Sequence, residues 1–298
     1  MKADTGFLLN IGSCAVCVRT SSSWIYSHPL HGREVLPVLG RAREPCDARG
    51  LHSDRSESQW PAAVRITGMV AIEGGRRPLE LALFDLDNTL LSGDSDYEWA
   101  QFLIERGVLQ RAEYEAKNER FSRQYKAGRL DIHEFLDFQL APLARYPRAK
   151  LEDWHGEFMQ AKVKPLIRPK AMKLVQRHLG ENHLCAIVTS TNAFITAPIA
   201  REFGVDHLLA TELEVRDGRF TGRPSGVPCF RQGKVTRLAE WLVGREQTLA
   251  SFSSSWFYSD SLNDLPLLER VTHPVAVDPD ETLRREALAR GWRVISLE

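Results

Sequence analysis

Neither sign of charge prevails in this sequence: its 298 residues carry 39 Lys and Arg against 39 Asp and Glu. A chain without net charge offers no basic field to draw in a nucleic acid or an anionic membrane surface, so neither partner is expected. Long apolar runs are missing as well. No stretch approaches the roughly 20 consecutive apolar residues of a membrane-spanning helix, and none is expected to span. Cysteine is scarce and odd in number, five in all. That does not suit a disulfide framework, and it fits a reducing, cytoplasmic setting. What is present, 43% hydrophobic and 26% charged residues, is the composition of a globular protein with a core of its own.

Residues 1–68 lack any sustained period of 2 or 3.6 and hold Ser clusters and scattered Arg, so no packed domain is expected there. Cys14 and Cys17 form a CxxC, but only Cys46 follows where a metal site would need a second pair. The apolar run from Phe7 to Val18 imitates an export signal, yet Asp4 interrupts its basic leader and no small-residue cleavage site follows. Met69 starts a more conventional opening, and residues 1–68 read as a disordered or extraneous extension. Subtracting 68 from 298 leaves 230 residues, the size of one α/β unit.

From residue 79 the chain alternates between short apolar runs and amphipathic stretches. Leu79 to Phe84, His183 to Val188, Ser255 to Ser259, Pro274 to Val277 and Trp292 to Ile295 read as strands. Lys170 to Leu179, Ile195 to Phe203 and Lys234 to Val243 read as helices, with Gly180, Gly204 and Gly244 as their C-caps. The alternation predicts an α/β fold, a doubly wound parallel sheet. Asp217-Gly218 marks a hairpin, expected as a small flap beside the sheet. Between the first two strands, residues 96–163 show helical periodicity alone. They read as an inserted helical cap on a core formed by residues 79–95 and 164–298. In such sheets ligands bind beyond the carboxyl ends of the strands, where this insertion would act as a lid.

The acids at those strand ends suggest the chemistry. Asp85 and Asp87 stand two apart where the first strand gives way to a turn, and their mutual repulsion calls for a cation or a shared proton. Asp260, Asn263 and Asp264 follow another strand, and oxygen-rich clusters of this kind suit Mg²⁺. Thr189 and Lys234 would complete a phosphate cradle with a hydroxyl and a fixed positive charge. Each element alone has a bland explanation: a solvated turn, a helix cap, a surface lysine. Their joint appearance in order is what points to function.

Asp85-Leu-Asp87-Asn-Thr, Ile187-Val-Thr189, Lys234 and Asp260-Ser-Leu-Asn263-Asp264 together resemble the four motifs of the haloacid dehalogenase superfamily of phosphohydrolases, over residues 79–298. The cap between the first two motifs looks like that of the phosphoserine-phosphatase-like branch, which includes bacterial histidinol-phosphatases. The resemblance implies a Mg²⁺-dependent phosphatase with Asp85 as nucleophile, passing through an aspartyl phosphate. It makes Asp87 the general acid and base, and Asp85, the Asp87 carbonyl and Asp260 the metal ligands. Asp264 would orient a metal-bound water or Lys234, and Asn263 would support that loop. A phospho-receiver domain would not need Asp87 or a cap, and a metal-free dehalogenase lacks the acid at that position.

The substrate is expected to be a small phosphorylated metabolite. Asp94 falls where this branch binds a substrate ammonium, although it could equally cap the helix that follows. Alignment on Gly128 puts Asp137 where phosphoserine phosphatases carry a carboxylate-binding arginine, which argues against phosphoserine. Together with Asn192, these residues favour L-histidinol phosphate over phosphoserine. The aromatic residues of the insertion, among them Trp99, Tyr125, Phe135 and Phe158, read as core of the cap. His133, His155 and His178 show no metal-ligand spacing. No heptad run or interface patch indicates an oligomeric state.

Overall fold

The computed structural model describes residues 79–298 and, before them, the backbone of three short strands. These are β1 (Leu8–Asn10), β2 (Val16–Thr20) and β3 (Ser23–Ser27), which pair antiparallel in that order with Val16 opposite Ser27. The rest of the N-terminal extension, with Cys14, Cys46 and Met69, lies outside the described residues, and so do most of the expectations placed there.

The second unit contains a seven-stranded sheet. Its strands are β4 (Glu80–Phe84), β5 (Leu184–Asn192), β6 (His207–Arg216), β7 (Arg219–Ser225), β8 (Ser254–Ser259), β9 (His273–Val277) and β10 (Arg293–Ile295). Their spatial order is β10-β9-β8-β4-β5-β6-β7, parallel throughout except for β7. The fold is the doubly wound α/β arrangement that strand–helix alternation implies. Strand order reverses at β4, whose neighbours are β5 on one side and β8 on the other, and a cleft opens at such a point beyond the carboxyl ends.

Side-chain alternation explains why both faces are covered. Ala82 and Phe84 of β4 point into one apolar cluster and Leu81 and Leu83 into another, all fully buried. On the first face pack α6 (Pro169–Gly180), through Ala171 and Val175, and α7 (Ala193–Glu202), through Ile195 and Ile199. On the second lie α8 (Gln232–Val243), α9 (Leu265–Leu268) and α10 (Glu281–Ala289), through Leu238, Leu267 and Leu283. A fully buried Phe or Leu contributes about 1.5–3 kcal/mol relative to its exposed state, so these two layers carry most of the stability.

The insertion is helical: α1 (Ser95–Glu105), α2 (Arg111–Lys126), α3 (Ile132–Arg145) and α4 (Arg148–Phe158), which passes through a π turn at Met159–Val163 into α5 (Lys164–Leu166). It does not form one separate layer. Trp99 and Phe102 of α1 and Phe158 of α4 bury into the same cluster as Phe84. On α2, Phe121 joins Leu130 and Phe230 in a smaller cluster of their own.

Two local expectations need correction. The hairpin at Asp217-Gly218 is no flap: β6 and β7 form one edge of the main sheet, and Gly222, with φ +80°, lets β7 approach α3 where a Cβ would come 3.2 Å from Ala144 Cβ. Of the three glycines expected as helix caps, Gly204 alone adopts positive φ, at +72°. After α6 the cap is Glu181 and the left-handed position is taken by Asn182, whereas Gly244 caps α8 as expected, with helical angles. Among the described residues, no helix is long and apolar enough to cross a membrane.

Candidate functional site

The turn after β4 brings one carboxylate and one hydroxyl together. Asn88 adopts φ +58°, which Asn tolerates better than most side chains, and the chain folds back so that Leu90 N–H donates to the Leu86 carbonyl at 2.9 Å. Residues 85 and 89 then meet as on one helical turn. Thr89 Oγ1 lies 3.2 Å from Asp85 Oδ2 and 3.1 Å from Asp260 Oδ1, and it also accepts the Asp260 N–H at 3.0 Å. A single hydroxyl therefore ties the end of β4 to the end of β8.

Lys234 approaches from the start of α8. Its Nζ donates to Asp85 Oδ1 and to Asp264 Oδ2, each at 2.7 Å. The lysine is 2% exposed, so its charge has given up nearly all its water. Burial alone would lower its pKa, but Asp264 and Asp85 more than offset that and hold it protonated. The loop leading to it has no spare room: a Cβ on Gly233 would lie 1.9 Å from the Pro228 carbonyl oxygen, and Arg231 is forced to φ +50°.

Asp87 is held from three sides. Ser95 N–H donates to its Oδ1 at 2.7 Å, Thr191 Oγ1 to its Oδ2 at 2.8 Å, and Thr189 Oγ1 lies 3.4 Å from the same oxygen. Thr189 and Thr191 share a face because strand side chains alternate with period 2. Burial, then the charge of Asp94, raise the Asp87 pKa to about 6. Burial raises Asp85 too, against the pull of Lys234, and lifts Asp260 well above the usual carboxylate range with help from Asp85 and Asp264.

Asp264 accepts from Ser259 Oγ at 2.7 Å besides Lys234. Asn263 braces the loop: its Oδ1 accepts from Arg231 Nε at 2.9 Å and its Nδ2 donates to the Tyr125 carbonyl at 3.3 Å. The Tyr125 hydroxyl in turn donates to Ser261 Oγ at 2.9 Å, so the end of α2 is fastened to the loop after β8.

The cleft enclosed by these elements has a volume of about 750 Å³. Asp85, Asp87, Thr189 and Asp260 line its floor, and Tyr125, Phe135 and Phe230 supply an aromatic side. Asp94 lines it while also capping α1, accepting the Tyr97 N–H at 2.9 Å. Two residues expected at the substrate are not brought there. Asp137 lies instead in a separate groove with Tyr114, Phe138 and Arg145, and Asn192 uses its Oδ1 to cap α7 by accepting the Ile195 N–H at 3.2 Å. In their place the cleft holds Asp96, Asn118 and Gln139, each nearly buried. Burial, then Asp94 and Asp87, push the Asp96 pKa well above the usual range. Asp96 could have been found as the first of the two acids in the first turn of α1. Thr89 stands inside the Asp85 motif, but nothing in sequence marks its hydroxyl as the bridge.

The arrangement can do specific chemistry. Asp85 and Asp260 are oxygen donors sharing one hydroxyl, and their raised pKa values express an excess of buried negative charge beside a single ammonium. Such a set fits a hard divalent cation. Asp87, able to hold or lose a proton near neutral pH, fits a general acid and base.

Comparison with known proteins gives a consistent result. The model of the haloacid dehalogenase-like hydrolases matches residues 82–269. The chain is 48% identical over 219 residues to a histidinol-phosphatase of Neisseria meningitidis serogroup C (strain 8013), covering 73% of this chain and 99% of that protein. A crystal structure of a protein with unknown function from Bordetella pertussis Tohama I shares 49% identity with a TM-score of 0.71, covering 74% of this chain and all of the other. A phospho-aspartyl intermediate analogue of phosphoserine phosphatase superposes with a TM-score of 0.55 at 19% identity, covering 74% and 95%, and shows the shared fold.

Proposed function

Because the chain belongs to the haloacid dehalogenase-like hydrolases and is a phosphatase, we propose that it hydrolyses a phosphate monoester with a cationic organic half, L-histidinol phosphate, through an aspartyl phosphate on Asp85. The observation that carries the substrate reading is the acidic wall: Asp94 and Asp96 line the cleft beside Asp87, and Lys126 is the one basic side chain in that lining. An ammonium or imidazolium gains there what a carboxylate would lose. The identity to a histidinol-phosphatase over nearly its full length supports the same reading.

In the first step an Asp85 oxygen bonds to phosphorus as the ester P–O bond breaks, and Asp87 passes its proton to the leaving alkoxide. In the second, Asp87 takes a proton from water, the water oxygen bonds to phosphorus, and the Asp85 O–P bond breaks. Lys234 holds Asp85 in place through its 2.7 Å bond and carries a permanent charge toward the transferring group. Thr189 would donate its hydroxyl to the phosphate, and Thr191 and the Ser95 N–H would keep Asp87 aimed. Asp85, Asp260 and the Asp87 carbonyl would hold Mg²⁺, which when bound supplies positive charge to offset that on the phosphoryl oxygens.

Lys126 at the same cleft supports a second reading, phosphoserine, whose carboxylate it could meet. Side-by-side kcat/KM values on L-histidinol phosphate and L-phosphoserine decide between them. A higher value for the first is expected, and a higher value for the second overturns the substrate reading while leaving the phosphatase intact.

A further inference from the structure

The turn joining α6 to β5 carries a cluster that phosphate chemistry does not use. His178, Glu181 and His183 each place a metal-binding atom within 4.8 Å of the others. They stand where α6 ends and β5 begins, at the amino-terminal ends of the parallel strands, opposite the cleft.

The hydrogen bonding of the two rings marks this cluster out. His183 Nε2 lies 2.5 Å from Glu80 Oε2. A carboxylate can only accept, so this nitrogen carries the proton, and the Nδ1 of a neutral ring is left with a lone pair. That Nδ1 is 2.8 Å from His178 Nδ1, and His178 Nε2 is 2.9 Å from the Tyr258 hydroxyl. Both rings thus engage a partner through Nε2 and converge through Nδ1. Metal-ligating histidines are arranged this way, with the far nitrogen anchored by a carboxylate or another polar group. Without an ion, one proton bridges the pair. The rings are also fixed: His183 stacks on Trp256 at 5.1 Å and 9°, and His178 meets Phe84 edge-on at 5.6 Å. Glu181 Oε2 stands 3.4 Å from His183 Nε2, and its side chain, 52% exposed, has the room to swing to the Nδ1 side, where the two rings meet.

The geometry points to a second metal site, in which His178, Glu181 and His183 bind a borderline transition-metal ion such as Zn²⁺ and leave a fourth position to water. Two imidazoles and one carboxylate suit Zn²⁺ and its neighbours rather than Mg²⁺, which prefers oxygen alone. The ion would replace the bridging proton and tie the end of α6 to the start of β5. It acts on stability, away from the reacting carboxylate.

The test is a Co²⁺ titration of the full, untagged, metal-stripped chain with Mg²⁺ in excess, read by visible d–d absorption. Thiolate-to-Co²⁺ charge transfer in the near ultraviolet separates any binding by cysteines. A nitrogen- and oxygen-type signal is expected in the wild type and in Asp260→Asn, absent in His183→Gln, and weakened roughly tenfold in affinity in Glu80→Gln, which keeps all three ligands but alters the anchor behind His183. Glu181→Gln, at an exposed side chain, serves if His183→Gln does not fold, and should also bind more weakly while its phosphatase activity with Mg²⁺ is unchanged. No such signal in the wild type, or equal affinity in Glu181→Gln, overturns the site.

Discussion

Lys234 Nζ and Asp85 Oδ1 are 2.7 Å apart across 149 residues of sequence, and both side chains are nearly buried. Removing the ammonium strands the Asp85 and Asp264 carboxylates in a dry site. Lys234→Met is expected to lose activity by orders of magnitude and to cost about 3–5 kcal/mol in urea unfolding, the usual penalty for breaking a buried pair. Unchanged stability would mean that the pair is not formed in solution.

Gly233 tests the loop that delivers this lysine. A methyl group at that position meets backbone, not a flexible side chain, at 1.9 Å from the Pro228 carbonyl oxygen. Gly233→Ala is expected to destabilise the protein by about 1–3 kcal/mol and to lower kcat while far-ultraviolet circular dichroism stays native. Wild-type kcat would show that the loop shifts freely.

The buried acids give stability a pH dependence of defined sign. Burial holds the Asp87 pKa at about 6 in the folded protein against 3.8 as its ordinary value, and Asp260 is likewise held well above the usual carboxylate range. Between those values the folded state binds more protons, so stability falls as pH rises from about 4 through 6. With EDTA present, this site makes the protein less stable at pH 7.5 than at pH 5.5. Mg²⁺ at about 100 times its Kd should restore about 2.7 kcal/mol, roughly 5–10 °C in Tm, and more so at the higher pH. A Tm indifferent to Mg²⁺ at pH 7.5 would remove the cation from the account.

Asp96 tests the acidic wall, since it lines the cleft without serving as the cap of α1. Asp96→Asn is expected to raise KM for L-histidinol phosphate about tenfold or more, the loss of one charged contact, with little change for an uncharged aryl phosphate. Equal effects on both substrates would assign Asp96 to folding instead.

Much of this was legible in sequence because the apolar runs of β4, β5 and β8 give way to polar side chains at Asp85, Thr189 and Asp260, although β5 itself continues through Thr189 to Asn192. Strand β6 was harder to read, because His207 to Ala210 lie beside β5 while Glu214 to Arg216 belong to an exposed hairpin, two patterns in one element. The side of α3 that faces the cleft was misread by two residues. Positions two apart on a helix point about 200° from one another, so Gln139 enters the cleft while Asp137 faces away from it. Asn192 shows a different limit: the same side-chain oxygen could hold a ligand or cap a helix, and only the backbone of α7 decides. The bridge at Thr89 depends on Asp260, 171 residues away, and no local pattern reports it.

The most direct measurement is a rapid acid quench of the enzyme turning over L-histidinol phosphate with Mg²⁺, followed by mass spectrometry of the peptide that spans residue 85. The account predicts a phosphoryl group on Asp85 that disappears as substrate is exhausted, and none in Asp85→Asn, which should be folded and inactive. Full turnover by Asp85→Asn, or a phosphoryl group on another residue, would contradict it.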